Sequence, residues 1–175
     1  AWQFMKALGL SEQHGWARPV AAQYQYSLVL RDIEREYLSL FEAEGLGLVP
    51  WGPLGGGFLS GKYHRGERPE EGRLSTAADR DEEAWHRRSV ERNWRILDAV
   101  GRIARERDKT YAQVALAWLL AQPTVVAPIV GARTPDQLSE SLGSAGWKLS
   151  SEELAALDSA SRIEEGYPYR MMRLY

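Results

Sequence analysis

The chain has no cysteine in its 175 residues, which excludes a disulfide framework, a thiolate nucleophile and a zinc ribbon together. Histidine is scarce as well. His14, His64 and His86 stand at no metal-ligand or triad spacing, so they read as solvated or capping side chains and no metal site is expected. An excess of one charge is also missing. Lys and Arg number 22 against 24 Asp and Glu, a net charge of −2, which gives no overall pull toward nucleic acid or an anionic membrane. No apolar run reaches the roughly 18 residues that a spanning helix needs. The opening AWQFMKALGL lacks the charged flank and cleavage pattern of a signal peptide. These absences lead to the expectation of a cytoplasmic protein without nucleic-acid or membrane partners.

What is present fits one globular domain. Hydrophobic residues make up 44% and charged residues 26%, enough for a real core under a solvated surface. Helical spacing of Trp2, Phe4, Met5 and Leu8 predicts an opening helix. Val20–Leu28 reads as a strand, Leu46–Trp51 is a short apolar run with the look of a buried parallel strand, and Thr124–Val130 is a third, apolar one. Between them, Asp32 is placed to cap a helix that Gly45 closes. Helical periodicity returns from Trp85 through Ala104, and Thr110-x-x-Gln113 forms a capping box for the helix after it. Thr134-Pro135-Asp136-Gln137 and Ser150-Ser151-Glu152-Glu153 supply two further helix starts. The charge-dense segment Asp79–Lys109 mixes signs and reads as a solvated helix face. Strands alternating with helices imply right-handed βαβ units and a parallel sheet. Three such strands leave two bare edges, and a (β/α)8 barrel takes about 250 residues. The expected fold class is therefore α/β, a partial (β/α)8 barrel over residues 1–175 with no second domain.

The segment WGPLGGGFLSGKY, Trp51–Tyr63, opens a stretch from residue 52 to about 82 without periodicity, a length that marks a functional or mobile loop. Gly56–Lys62 spells G-x-x-x-x-G-K, yet Tyr63 stands where a P-loop needs Ser or Thr and no helix pattern follows. No G-x-G-x-x-G opens a helix, and G-x-S-x-G is absent. Glycines at the C-terminal end of a parallel strand let a ligand approach bare N–H groups, with Trp51 as a stacking face and Lys62 as a charge for phosphate. The alternative is a Gly-rich surface loop beside a core tryptophan. A second anion-like signal is PIVGARTPDQLSESL, where Arg133 precedes a capped helix start. Its alternative is a well-capped helix with a solvated arginine.

These stretches resemble the aldo-keto reductase family, in the branch of potassium-channel β-subunits and bacterial general reductases. WGPLGGGFLSGKY is similar to the loop after the family's seventh strand, PIVGARTPDQLSESL to its eighth strand and following helix, and QYQYSLVLRDIERE to its sixth strand. KTYAQVALAWLLAQPTV and LSSEELAALDSAS match the helix before strand eight and the closing helix. The resemblance covers nearly the whole chain in order. It implies the C-terminal half of the barrel, about strands six to eight, and an NADPH-dependent oxidoreductase acting on aldehydes and ketones without a metal. By the same resemblance Gln23 would bond the nicotinamide carboxamide and Trp51 would stack on its ring. Gly52, Pro53, Leu54, Gly55 and Gly56 would line pyrophosphate and ribose, with Lys62 and Arg73 on phosphate. Gly131 and Arg133 would take a 2′-phosphate, and Gln137 and Glu140 the adenosine end. Ser141 stands where the family carries Asn, and Gly52 where it more often carries Ser.

The family's catalytic Asp, Tyr, Lys and His lie before its sixth strand, so no residue here is expected to be catalytic. Asp32 and Tyr37 share the D-x4-Y spacing but sit in DIEREY rather than the family's D-T-A-x-x-Y-G. The chain is expected to bind NADPH, to be inactive alone, and to act on a small carbonyl substrate only when completed by an N-terminal half. A second reading is a non-catalytic module that assembles through its open strand edges, as a homo-oligomer or with a complementing half-barrel. A P-loop ATPase is a distant third.

Overall fold

The computed structural model describes residues 1–76, 78, 80, 81 and 84–172. Residues 77, 79 and 82 of the expected loop, Glu83 of the charge-dense segment and residues 173–175 of the tail lie outside the described residues.

Helix α1 (Trp2–His14) turns Phe4 and Leu8 inward and stops at Gly15, whose φ of 66° is left-handed. Strand β1 (Ala21–Ala22) runs parallel to β2 (Gly47–Leu48), in register Ala21 to Gly47. Between them lie a 3-10 turn over Asp32–Arg35 and helix α2 (Tyr37–Glu44). Leu48 of β2 bridges Val125 in a third parallel segment. Its backbone takes part on both sides: Gly47 N donates to Val20 O, while Leu48 N donates to Thr124 O. The result is an open three-membered parallel arc with β2 in the middle, a sector of a (β/α)8 barrel.

The ladders are shorter than the three apolar runs. Pairing does continue past them, since Trp51 N donates to Tyr24 O at 3.0 Å and Ile129 N to Pro50 O at 2.8 Å. Pro50 and Pro128 have no N–H to give, so each removes a rung. The outer segments also have a neighbour on one side only, which leaves Val20 80% and Val126 63% exposed.

Asp32 is not a helix cap. Glu34 is drawn inward by Arg31 and Tyr26, the turn tightens to 3-10, and α2 starts only at Tyr37, with Asp32 paired to Arg35 instead. The region from Trp85 splits into α4 (Trp85–Arg88) and α5 (Glu91–Glu106), and the long loop contains a short helix, α3 (Arg73–Thr76). Helix α5 buries Trp94, Leu97, Val100 and Ala104 along one stripe, the 3-to-4 spacing of a core face. It packs against α6 (Tyr111–Leu120) and α8 (Ser151–Ser161), and α6 meets α7 (Pro135–Leu142). The capping boxes at Thr110 and Ser150 both form. A last turn, α9 (Tyr169–Met172), lies in the tail.

One buried polar cluster ties the two ends of this arc. Arg31, 7% exposed, forks onto Glu34 at 2.6 and 3.0 Å and reaches Asp158 at 2.9 Å and Ser161 Oγ at 2.5 Å. Its guanidinium lies 5.0 Å from the centre of the Trp118 ring. Tyr26 donates to Glu34 at 2.6 Å. Burial, reinforced by the Glu34 charge, raises the Tyr26 pKa far above its ordinary value. Burial alone would lower the Arg31 pKa, but the bond and charge of Glu34 more than reverse it.

Candidate functional site

A cleft of about 1140 Å³ opens at the C-terminal ends of β2 and the third segment. This is the face at which parallel α/β sheets and barrels build their sites. Its floor is Trp51 and the glycine loop; one wall is Lys62 with residues 70–76, the other Ile129–Arg133 and the first turns of α7.

Trp51 is fixed by its backbone and free at its ring. Its N–H donates to Tyr24 O, its carbonyl accepts from Tyr26 N at 3.3 Å, and 37% of the residue stays exposed. The loop behind it then takes a left-handed path through Gly55, Gly56 and Gly57. Gly55 shows why glycine is required: φ is +58°, and a Cβ would sit 2.6 Å from Val29 Cγ2. This winding spends some amides internally, as Gly55 N donates to Gly52 O and Gly57 N to Leu54 O. Among the described residues, the N–H groups of Leu54 and Gly56 have no acceptor. Such unspent amides on a left-handed path are suited to an anion. No helix opens at Gly61-Lys62; the 3-10 turn Phe58–Ser60 ends there, which removes the P-loop geometry.

On the opposite wall, the start of α7 is built as its sequence dictates. Thr134 Oγ1 accepts from Gln137 N, Pro135 occupies the first turn, and Gln137 Oε1 accepts from Arg133 N at 2.9 Å. The Gln137 amide oxygen is thus spent on the backbone, and Arg133 is exposed with no ion pair among the described residues. Ser141 is 8% exposed, and its hydroxyl donates back to Gln137 O. Glu140 is held from behind, since its carbonyl accepts from Gln113 Nε2.

The cleft gathers Trp51, Gly52, Pro53, Leu54, Gly56, Lys62 and Arg73 with Gly131, Arg133, Gln137, Glu140 and Ser141. Gln23 and Gly55 do not line it. Gln23 is exposed beside an uncovered sheet edge, and Gly55 faces Val29 beneath the loop. Glu70, Glu71, Gly72, Ser75 and Thr76 also line it, and sequence reasoning did not single them out. Their only signal was membership of a long aperiodic loop. Three cations and three carboxylates therefore face the same space, which suits a ligand carrying phosphates together with hydroxyl or amino groups. Among the described residues no cluster of His, Asp and Glu could hold a metal, and no helix is long and apolar enough to cross a membrane.

Similarity to known proteins agrees with this architecture. The sequence pattern of the Aldo/keto reductase family matches residues 1–162. An uncharacterized oxidoreductase of Bacillus subtilis is 34% identical over 157 residues, covering 90% of this chain and 45% of that protein. A probable voltage-gated potassium channel subunit beta of Arabidopsis thaliana is 32% identical, covering 81% of this chain and 43% of its own. Norsolorinic acid reductase A of Aspergillus parasiticus is 30% identical over 98% of this chain and 41% of its own. The chain thus spans less than half the length of the curated relatives it matches. It belongs to the aldo/keto reductase family of oxidoreductases.

Proposed function

We propose that this chain is the C-terminal half of an aldo-keto reductase barrel, about strands six to eight, and that its cleft holds NADPH. The observation that carries the reading is the convergence, in one cleft, of an exposed tryptophan face, two loop amides and the cations Lys62 and Arg133, none of the four polar groups paired among the described residues. The residues present fit the cofactor: the cleft has the volume for a dinucleotide, and its polar groups are spaced along its length. Trp51 stacks the nicotinamide ring, the glycine loop and Lys62 hold the pyrophosphate, and Arg133 takes the 2′-phosphate. Glu140 and the Gln137 amide hold the adenosine end. When bound, the cofactor supplies a hydride to a small carbonyl substrate. The sequence carries no D-T-A-x-x-Y-G motif, the stretch that would supply the family's catalytic Asp and Tyr. Reduction therefore needs residues beyond these 175, and the chain alone is inactive.

Titration with NADPH, followed by tryptophan quenching, tests the reading. Saturable binding is expected, weaker with NADH and weakened at least tenfold in Trp51→Ala. Unchanged fluorescence at millimolar NADPH would remove the claim that this half binds by itself.

The exposed Val20 and Val126 edges favour one second reading, a non-catalytic module that assembles through them. A defined dimer in solution supports that reading, and a monomer rejects it.

A further inference from the structure

We propose that the Tyr63 hydroxyl is a second phosphate-binding group of the cleft, acting beside the Lys62 ammonium. The proposal rests on the dinucleotide reading above and deepens it. Tyr63 is 6% exposed, and its ring packs edge-on to Trp85 at 5.8 Å, with Trp85 in turn against Trp94. The ring thus belongs to the core beneath the loop. Its hydroxyl, however, is buried and has no hydrogen-bond partner among the described residues. A buried tyrosine O–H normally finds a partner, and one left without is costly.

The hydroxyl lies beneath two glycines that both line the cleft. A Cβ at Gly72 would stand 2.8 Å from the Tyr63 oxygen and 3.1 Å from Lys62 Nζ. A Cβ at Gly57 would stand 3.3 Å from Nζ and 3.9 Å from the same hydroxyl. The two polar tips therefore converge near one spot, and a side chain at position 57 or 72 would crowd them both. Lys62 makes no ion pair among the described residues, and its ammonium rides 5.0 Å from the Tyr63 ring centre. An ammonium with three donors and a phenol O–H meet there without an acceptor. The chemistry that satisfies both is an oxyanion, and a phosphate oxygen drawn in between the two glycines would meet both donors. This spot adjoins the glycine loop at Gly57, so the group it takes is the pyrophosphate rather than the 2′-phosphate.

The test compares wild type, Tyr63→Phe and Lys62→Met in the full 175-residue chain. NADPH and NADH binding are read by tryptophan quenching, and inorganic pyrophosphate by thermal stabilisation. Tyr63→Phe keeps the ring and its packing, so the free chain should unfold at the wild-type temperature or slightly above. Binding of all three ligands should weaken by about fivefold, the worth of one ordinary hydrogen bond, with the preference for NADPH over NADH unchanged. A merely structural tyrosine would instead move the unfolding temperature and leave pyrophosphate binding alone. The proposal is overturned if Tyr63→Phe binds every ligand like wild type while Lys62→Met weakens them. It is overturned equally if only the NADPH preference changes, which would put the hydroxyl on the 2′-phosphate. If wild type binds no dinucleotide but pyrophosphate still stabilises it in a Tyr63-dependent way, the dinucleotide reading fails and the subsite stands. If pyrophosphate and both dinucleotides leave wild type unmoved, both fall.

Discussion

Arg31 and Arg133 carry the same guanidinium into opposite circumstances. Around Arg31 every side-chain nitrogen is engaged, by Glu34, Asp158 and Ser161, and the group is buried. Around Arg133 the side chain is exposed and forms no ion pair among the described residues. The same contrast runs through the regions they belong to. The Arg31 cluster is closed, and its polar groups answer one another. The cleft is open, with loop amides and an ammonium that no described residue satisfies. A satisfied polar cluster fixes a fold, whereas an unsatisfied one is a request for a ligand.

Removing each arginine in turn breaks the comparison most sharply. Arg31→Met leaves the half-buried Glu34 without its cationic partner and should cost about 3 kcal/mol of stability, read as a lower urea midpoint. Loss of less than about 1 kcal/mol would mean that the cluster is ornamental. Arg133→Met should leave the urea midpoint within about 0.5 kcal/mol, as for other exposed sites. It should instead cost about tenfold in NADPH affinity, with NADH unaffected. An equal loss for both dinucleotides would move Arg133 off the 2′-phosphate. The smallest effect concerns alkaline pH. The folded chain keeps the Tyr26 proton that the unfolded chain releases above about pH 10, so stability falls as pH rises through that point. Urea midpoints of wild type and Tyr26→Phe should therefore diverge between pH 8 and pH 10.5, with the variant losing less. Parallel curves would show that Tyr26 titrates alike in both states.

What could be read in the sequence divides along the same line. Capping depends on residues three apart, so the boxes at Thr110 and Ser150 and the start of α7 were legible and formed. The glycine loop was legible for the same reason, because composition and position after a strand are local properties. The Arg31 cluster was not. Two of the partners of Arg31, Asp158 and Ser161, are remote in sequence, and DIERE shows no sign that one of its acids faces inward, so Asp32 looked like the cap it is not. The wall from Glu70 to Thr76 was hidden too, since two glutamates beside a glycine resemble any solvated loop. The length of the strands misled in the other direction. Apolar runs announce burial, but the pairing along them is cut by Pro50, by Pro128 and by a neighbour on one side only.

The reach of the Arg31 cluster also has a consequence for how the chain is made. Asp158 and Ser161 follow Arg31 by 127 and 130 positions. At ribosomal speed, about 5–20 residues per second, they are polymerised on the order of ten seconds after it. Throughout that interval β1, α2 and β2 can all have emerged while the arginine between them still lacks two of its three partners. The nascent chain then holds a hydrated charge at what will become a dry junction, and the arc stays unlocked. Emergence of α8 from the exit tunnel, rather than formation of the first strand pair, is the event that secures this fold.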